Sequence, residues 1–300
     1  MTLPIAFHSI YKHPLPEGHR FPMLKYDLLP KQLLHEGTAE KSDFFEPEIA
    51  NLIDIYTVHE KNYVDTLVAL KLDSKEVRKI GFPLSAALVE RELRIAQGTI
   101  NGSLLALKHG VAFNIAGGTH HAFANYGEAF CMLNDQAIGA QYLLNNSLCK
   151  KILIIDLDVH QGNGTAKIFE NKNNVFTFSM HGKSNYPFRK EISDLDIALE
   201  DNTNDHKYLE ILADVVPKLI ATEKPDFIFY LAGVDVLETD KLGKLGLTLQ
   251  GCKKRDEIVL KLCKLHEIPV QVSMGGGYSP DIKTIIEAHS NTYRVARSVF

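Results

Sequence analysis

The chain has 300 residues, long enough to bury roughly 75% of the surface its unfolded form would expose. Apolar residues make up 45% and charged residues 23%, which excludes a disordered or fibrous chain. With 33 Lys and Arg against 37 Asp and Glu, the net charge is −4, and nothing in that balance calls for nucleic acid or an anionic membrane as partner.

In chain order, the opening Met1-Thr2-Leu3-Pro4-Ile5-Ala6-Phe7-His8 lacks the basic region and apolar stretch of a signal peptide. Residues 5–7 form a short apolar run that can start a sheet. A helical pattern covers residues 84–108, a strand 111–116, a helix 128–144, then strands 152–159 and 175–180. The helix expected over 206–220 contains Pro217, which should kink it or force a restart. A strand over 227–232, a helix over 253–266, a strand over 270–274 and a helix over 282–289 complete the series. Within the helix over 253–266, Lys253-Lys254-Arg255 followed by Asp256-Glu257 reads as a solvated face. Strands alternating with helices predict an α/β domain with a mainly parallel sheet. The strand runs are continuously apolar, as suits strands covered on both faces. No repeat or linker divides the chain, so one domain over residues 1–300 is expected. No apolar run approaches ~18 residues, so a membrane partner is not expected and the localisation is read as cytoplasmic. The four cysteines, Cys131, Cys149, Cys252 and Cys263, make no C-x-x-C pair and suit buried thiols in a reducing compartment.

The endings of the strands matter more than the strands. Gly117-Gly118-Thr119-His120-His121 follows one; Asp156-Leu157-Asp158-Val159-His160 and Gln161-Gly162-Asn163-Gly164 follow the next. His181-Gly182, Gly233-Val234-Asp235 and Gly275-Gly276-Gly277-Tyr278 close three others. Ligands of open parallel sheets bind outside the carboxyl ends of the strands, so these residues outline an active-site rim.

Alternation along a strand would put Asp156, Asp158 and His160 on one face, with Leu157 and Val159 on the other. Three ionisable groups on a buried strand need a neutralising partner, and a divalent cation supplies one. The alternative is a set of strand-end polar residues paired among themselves. Asp235 reads either as a further ligand or as a helix N-cap. An Asp₂His set leaves a position open for chemistry and is oxygen-rich enough to keep Fe(II) or Mn(II) beside zinc. The pair His120-His121 suits acid/base work near neutral pH, and Asp156 is a candidate carboxylate behind one ring. Tyr278 reads either as a hydrogen-bond donor to an oxyanion or as a cap on the sheet edge.

These residues resemble the histone deacetylase superfamily, including bacterial deacetylase-like and acetylpolyamine amidohydrolase members. The likeness is carried by residues 117–121, Phe130-Cys131-Met132-Leu133-Asn134-Asp135, 154–164, 230–235, 240–248 and 275–278, and runs over nearly the whole chain. It implies an arginase-like three-layer α/β/α fold around a central, mostly parallel, eight-stranded sheet. It further implies zinc held by Asp158, His160 and Asp235, His120 and His121 as the paired histidines, and Tyr278 as the carbonyl-polarising phenol. Asp156 would stand behind His120 and, with Ser179, border a structural potassium ion. Phe130 and Gly276 would line a narrow acyl tunnel, with Phe188 or Tyr186 as a second aromatic wall. The substrate class implied is an acyl-lysine peptide or protein, or a small acyl-amine.

One departure from the family pattern stands out. Asn163 occupies the place where many members carry an acid behind the second histidine, and this form resembles the class IV branch, as does Lys254-Arg255-Asp256-Glu257. An amide orients His121 but stabilises its imidazolium less, so His121 is expected to titrate lower and to serve as a neutral base. A binuclear manganese ureohydrolase would need carboxylates where Gly162 and Asn163 stand. An acetylpolyamine amidohydrolase would differ in access, and a non-catalytic acyl binder could dispense with His120, His121 and Tyr278. The oligomeric state and the acyl-chain length are not legible.

Overall fold

The computed structural model describes residues 2–300. Eight strands form one sheet in the order β2-β1-β3-β8-β7-β4-β5-β6. They are β1 Ile5–Ala6, β2 Phe44–Phe45, β3 Val111–Asn114, β4 Ile152–Asp156, β5 Val175–Gly182, β6 Leu195–Leu199, β7 Phe227–Leu231 and β8 Val270–Ser273. Every neighbouring pair is parallel, so all carboxyl ends share one edge.

Ten α-helices cover the sheet among the described residues. They are α1 Lys25–His35, α2 Leu52–Tyr56, α3 Lys61–Val68, α4 Ser74–Ile80, α5 Ala86–His109, α6 Asp135–Asn145, α7 Asn163–Phe169, α8 Asp205–Glu223, α9 Leu249–Leu265 and α10 Ile282–Val299. Alternate residues of the central strands feed two cores. Ile152, Ile154, Phe227 and Phe229 pack with Ala137, Ala140 and Leu143 of α6. Leu153, Ile155, Ile228 and Tyr230 pack into the larger core with α8, α9 and α10. Each central strand thus sits between two apolar layers, which is why its sequence is a continuous apolar run.

Several expectations from the sequence are corrected. The strand expected to reach Val159 ends at Asp156, so Asp158 and His160 lie on the loop beyond it. The strand expected over 175–180 runs two residues further, so His181 and Gly182 are the last residues of β5. Helix α8 runs through Pro217 without interruption, held by its buried stripe of Tyr208, Leu212, Val216, Leu219 and Ile220. The helix expected from residue 128 starts only at Asp135, capped by the Asn134 side chain on the Ala137 N–H. Ala129 and Phe130 adopt φ of +46° and +68°, which no helix accommodates. Edge strands β2 and β6 escape the reading because one has two residues and the other alternates apolar with exposed positions.

Candidate active site

Four adjacent strands in the sheet, β3, β8, β7 and β4, deliver the loops that build the site. At the end of β3 the chain turns through Gly117 and Gly118, and the Asp135 carboxylate at the start of α6 accepts from the Gly118 and Thr119 N–H groups at 2.8 and 2.9 Å. That anchor aims His120 and His121 at the loop after β4. The His120 ring donates through Nδ1 to Asp156 Oδ2 at 2.7 Å, and the His121 ring donates through Nδ1 to Asn163 Oδ1 at 2.7 Å. Both Nε2 atoms are left for other partners. The ring centroids lie 4.1 Å apart.

Beyond β4 the backbone steps back onto its own acids. Asp158 N–H donates to Asp156 Oδ1 at 3.1 Å, and His160 N–H donates to Asp158 Oδ1 at 3.0 Å. Leu157 and Val159 are buried in the core, so the alternation expected of a strand persists in a loop held by these local bonds. Asp235 arrives from β7, with its Oδ1 accepting from Val159 N–H at 3.0 Å. It caps no helix. One ligand atom each from Asp158, His160 and Asp235 lies within 4.8 Å of the others, all three residues buried.

The donor set fits a divalent cation. Asp235 Oδ2 is buried and accepts no hydrogen bond, with only the ion-pair approach of His160 Nδ1 at 3.3 Å, and a buried carboxylate oxygen so poorly satisfied is costly. Burial, with the Asp158 charge, pushes Asp235 up to about 7. Burial opposes a charged His160, yet its hydrogen bond to Asp158 and the Asp235 carboxylate beside it lift it to about 10. Glycine keeps the space clear: a Cβ on Gly276 would collide with both carboxylates. Instead, Gly276 N–H donates to Asp158 Oδ2 at 2.8 Å.

The two histidines titrate in opposite directions. Burial works against a charged His120, but the Asp156 charge and hydrogen bond outweigh it and raise its pKa. Burial, reinforced by the charges of His120 and His160, holds His121 well below the ordinary imidazole value. Two adjacent rings therefore differ in proton affinity because one is backed by a carboxylate and the other by an amide.

A cavity of 440 Å³ opens onto these groups, lined by His120, His121, Phe130, Tyr186, Gly276 and Tyr278 among others. The half-buried Tyr278 is fixed through its backbone N–H, which donates to Asp240 Oδ2 at 2.6 Å. Phe130 forms one wall beside Phe21 and Phe82, at centroid distances of 5.1 Å each. Tyr186 also lines it, edge-on to His121 at 5.1 Å. Phe188 lies at the mouth with 91% of its surface exposed, so it borders the entrance rather than a narrow passage. Asp156 and Ser179 face each other across the β4–β5 register, where Ser179 Oγ bonds His181 Nδ1 at 3.0 Å.

A family model, the histone deacetylase domain, matches residues 19–293. The chain belongs to the histone deacetylase family. It is 44% identical over the full length of both chains to an uncharacterised protein of Picosynechococcus sp.. It is 29% identical to histone deacetylase 2 of Arabidopsis thaliana, over 89% of this chain and 72% of that one. In fold it is similar to the crystal structure of an HDAC homolog complexed with SAHA, with a TM-score of 0.87 at 23% identity, covering 100% of this chain and 85% of the other. Membership makes it a deacetylase-type amidohydrolase.

In this family member, three contributors to the site go beyond what the sequence suggested. Glu128 stands behind Asn163, accepting from its Nδ2 at 2.7 Å, and pairs in turn with Lys79 at 2.8 Å. Lys25, fully buried, donates from Nζ to the Gly275 carbonyl at 3.0 Å and lies 5.7 Å from the Tyr278 ring centroid. Arg255 and Asp256, expected on a solvated face, are both completely buried and ion-paired at 2.9 Å. The Glu128 and Lys25 partnerships join distant parts of the chain, and Arg255 and Asp256, neighbours within the charged run 253–257, carry no sequence signal of their burial.

Proposed function

We propose that this deacetylase-family chain hydrolyses N-acyl amides of lysine-type amines, using zinc held by Asp158, His160 and Asp235. The observation that carries the reading is one buried ligand set, of which Asp158 and His160 line the cavity, meeting two histidines and a phenol on that same cavity. When bound there, the ion supplies Lewis-acid polarisation of the scissile carbonyl and a more acidic water. Iron(II) suits the same oxygen-rich set.

The chain's own groups divide the remaining work. His121, kept neutral by its buried surroundings, takes the proton from water at Nε2 and returns one to the leaving amine. His120, charged through Asp156, holds positive potential beside it. The Tyr278 hydroxyl donates to the developing oxyanion, a contact whose loss typically costs about 10²–10³ in rate. Phe130 and Tyr186 flank an extended aliphatic side chain and exclude water around the amide. The same reading assigns a structural potassium ion to Asp156 and Ser179, the catalytic domain to the whole chain, and a cytoplasmic location.

Turnover of lysine peptides bearing acetyl to myristoyl groups, alongside acetylpolyamines, with and without chelator, tests the reading. Peptide cleavage abolished by chelator and restored by zinc is expected. Tyr278→Phe should retain zinc and lose most turnover. Preference for acetylpolyamines would move the substrate to the small-molecule class, and chelator-insensitive cleavage would overturn the metal mechanism.

A further inference from the structure

The motif Lys254-Arg255-Asp256-Glu257 plays no part in the chemistry above, yet its two central residues sit at the back of the ligand loops. A fully buried guanidinium needs partners for its charge and its donors. Asp256 supplies the charge: Arg255 Nε bonds its Oδ1 at 3.0 Å. Arg255 NH1 is spent differently. It donates to the Leu157 carbonyl at 3.3 Å and to the Gly233 carbonyl. Leu157 directly precedes Asp158, and Gly233 lies two residues before Asp235. One guanidinium therefore ties the loop after β4 to the loop after β7 at the point where each presents its ligand.

The clamp is itself anchored. Asp256 Oδ1 accepts from the Tyr230 hydroxyl on β7 at 2.5 Å, and its Oδ2 accepts from Thr292 Oγ1 on α10 at 2.7 Å. Both carboxylate oxygens are thus occupied, and the carbonyls that take NH1 lie on the two loops that carry the ligands.

We propose that Arg255 is a positioning residue that sets the separation of the Asp158 and Asp235 carboxylates and so tunes affinity for the divalent ion. The inference rests on the metal-centre reading, and its test is binding rather than turnover. In Arg255→Lys the charge remains, but a compact ammonium cannot span Asp256 and both carbonyls. Zinc affinity of the chelator-stripped protein, measured by competition with a chromophoric chelator, should weaken about 10–100-fold, as for other residues that orient metal ligands. Substrate KM at saturating zinc should stay near the parent value. The double variant Arg255→Met with Asp256→Asn leaves no unpaired charge in the core and should show the same weakening.

The melting temperature of the stripped protein provides the control. A lowered melting temperature with zinc affinity within about twofold of the parent would make Arg255 a folding element and overturn the proposal. Failure of both variants to fold would overturn it equally. A parent that binds no zinc refutes the metal centre itself, whereas one that binds zinc and cleaves no acyl amide refutes only the assigned activity.

Discussion

Replacing Asn163 by Asp places a carboxylate against His121, whose Nδ1 lies 2.7 Å from Asn163 Oδ1. With about 5 Å between the centres of charge and an effective dielectric of about 20, the attraction is about 3 kcal/mol. Buried, with His120 and His160 adding like charge, His121 now sits well below the ordinary imidazole value. Its base form is present above its pKa and lost as pH falls through it, so raising that pKa moves the acidic limb of activity to higher pH. An attraction of that size corresponds to about two pH units. Glu128 intervenes, however, because its Oε1 accepts from Asn163 Nδ2 at 2.7 Å. In the single variant two carboxylates would meet there and share a proton, which blunts the effect. The double variant Asn163→Asp with Glu128→Gln removes that conflict and should display the full displacement. The assay is the pH dependence of kcat/KM, which reports the free enzyme. An acidic limb unmoved in the double variant would refute His121 as the base and Asn163 as the group that sets its proton affinity.

Other outcomes follow from the same geometry. In the metal-free protein, Asp235 titrates near 7 and His160 near 10, both above their ordinary values. Stability therefore falls as pH rises from about 4 to 7 through Asp235 and from about 6.5 to 10 through His160, and the chelated protein should melt lower at pH 9 than at pH 6. Zinc should reverse this, with the larger gain at high pH and with proton release on binding; an equal gain at both pH values would contradict the site. Lys25→Met strips the buried Gly275 carbonyl of its donor at 3.0 Å. A loss of about 1–3 kcal/mol in denaturant unfolding is expected, with reduced kcat at unchanged zinc content, and full activity would exclude Lys25 from placing the Tyr278 loop. Arg20, Lys79 and Lys244 line the cavity, and among the described residues Asp158 is its only acidic lining group. Acyl-lysine peptides flanked by Glu should be cleaved about two- to fivefold better than those flanked by Lys at low salt, a preference that Arg20→Glu should erase.

Much of the fold was legible because central strands of a parallel sheet are apolar on both faces. Runs near residues 111, 152, 175, 227 and 270 announce themselves without any knowledge of their neighbours. The edge strands did not, since an alternating or two-residue strand carries no such signature. Pro217 misled because tertiary packing of the α8 stripe outweighs the cost of one missing hydrogen bond. The strand assigned to residues 157–159 misled because local bonds to Asp156 and Asp158 reproduce a strand's alternation in a loop.

What the sequence determined by itself was the set of polar residues at the strand ends: Asp158 and His160 two residues apart, the His120-His121 pair, and Tyr278 beyond three glycines. Their spacing is local, and the parallel topology brings their ends to one edge. What only the tertiary structure decided was the support behind them. Glu128 meets Asn163 across 35 positions, Arg255 meets Leu157 across 98 and Lys25 meets Gly275 across 250. Such pairings depend on where the packed helices bring a charge, and a buried charge is identical in sequence to a solvated one until its partner is in place.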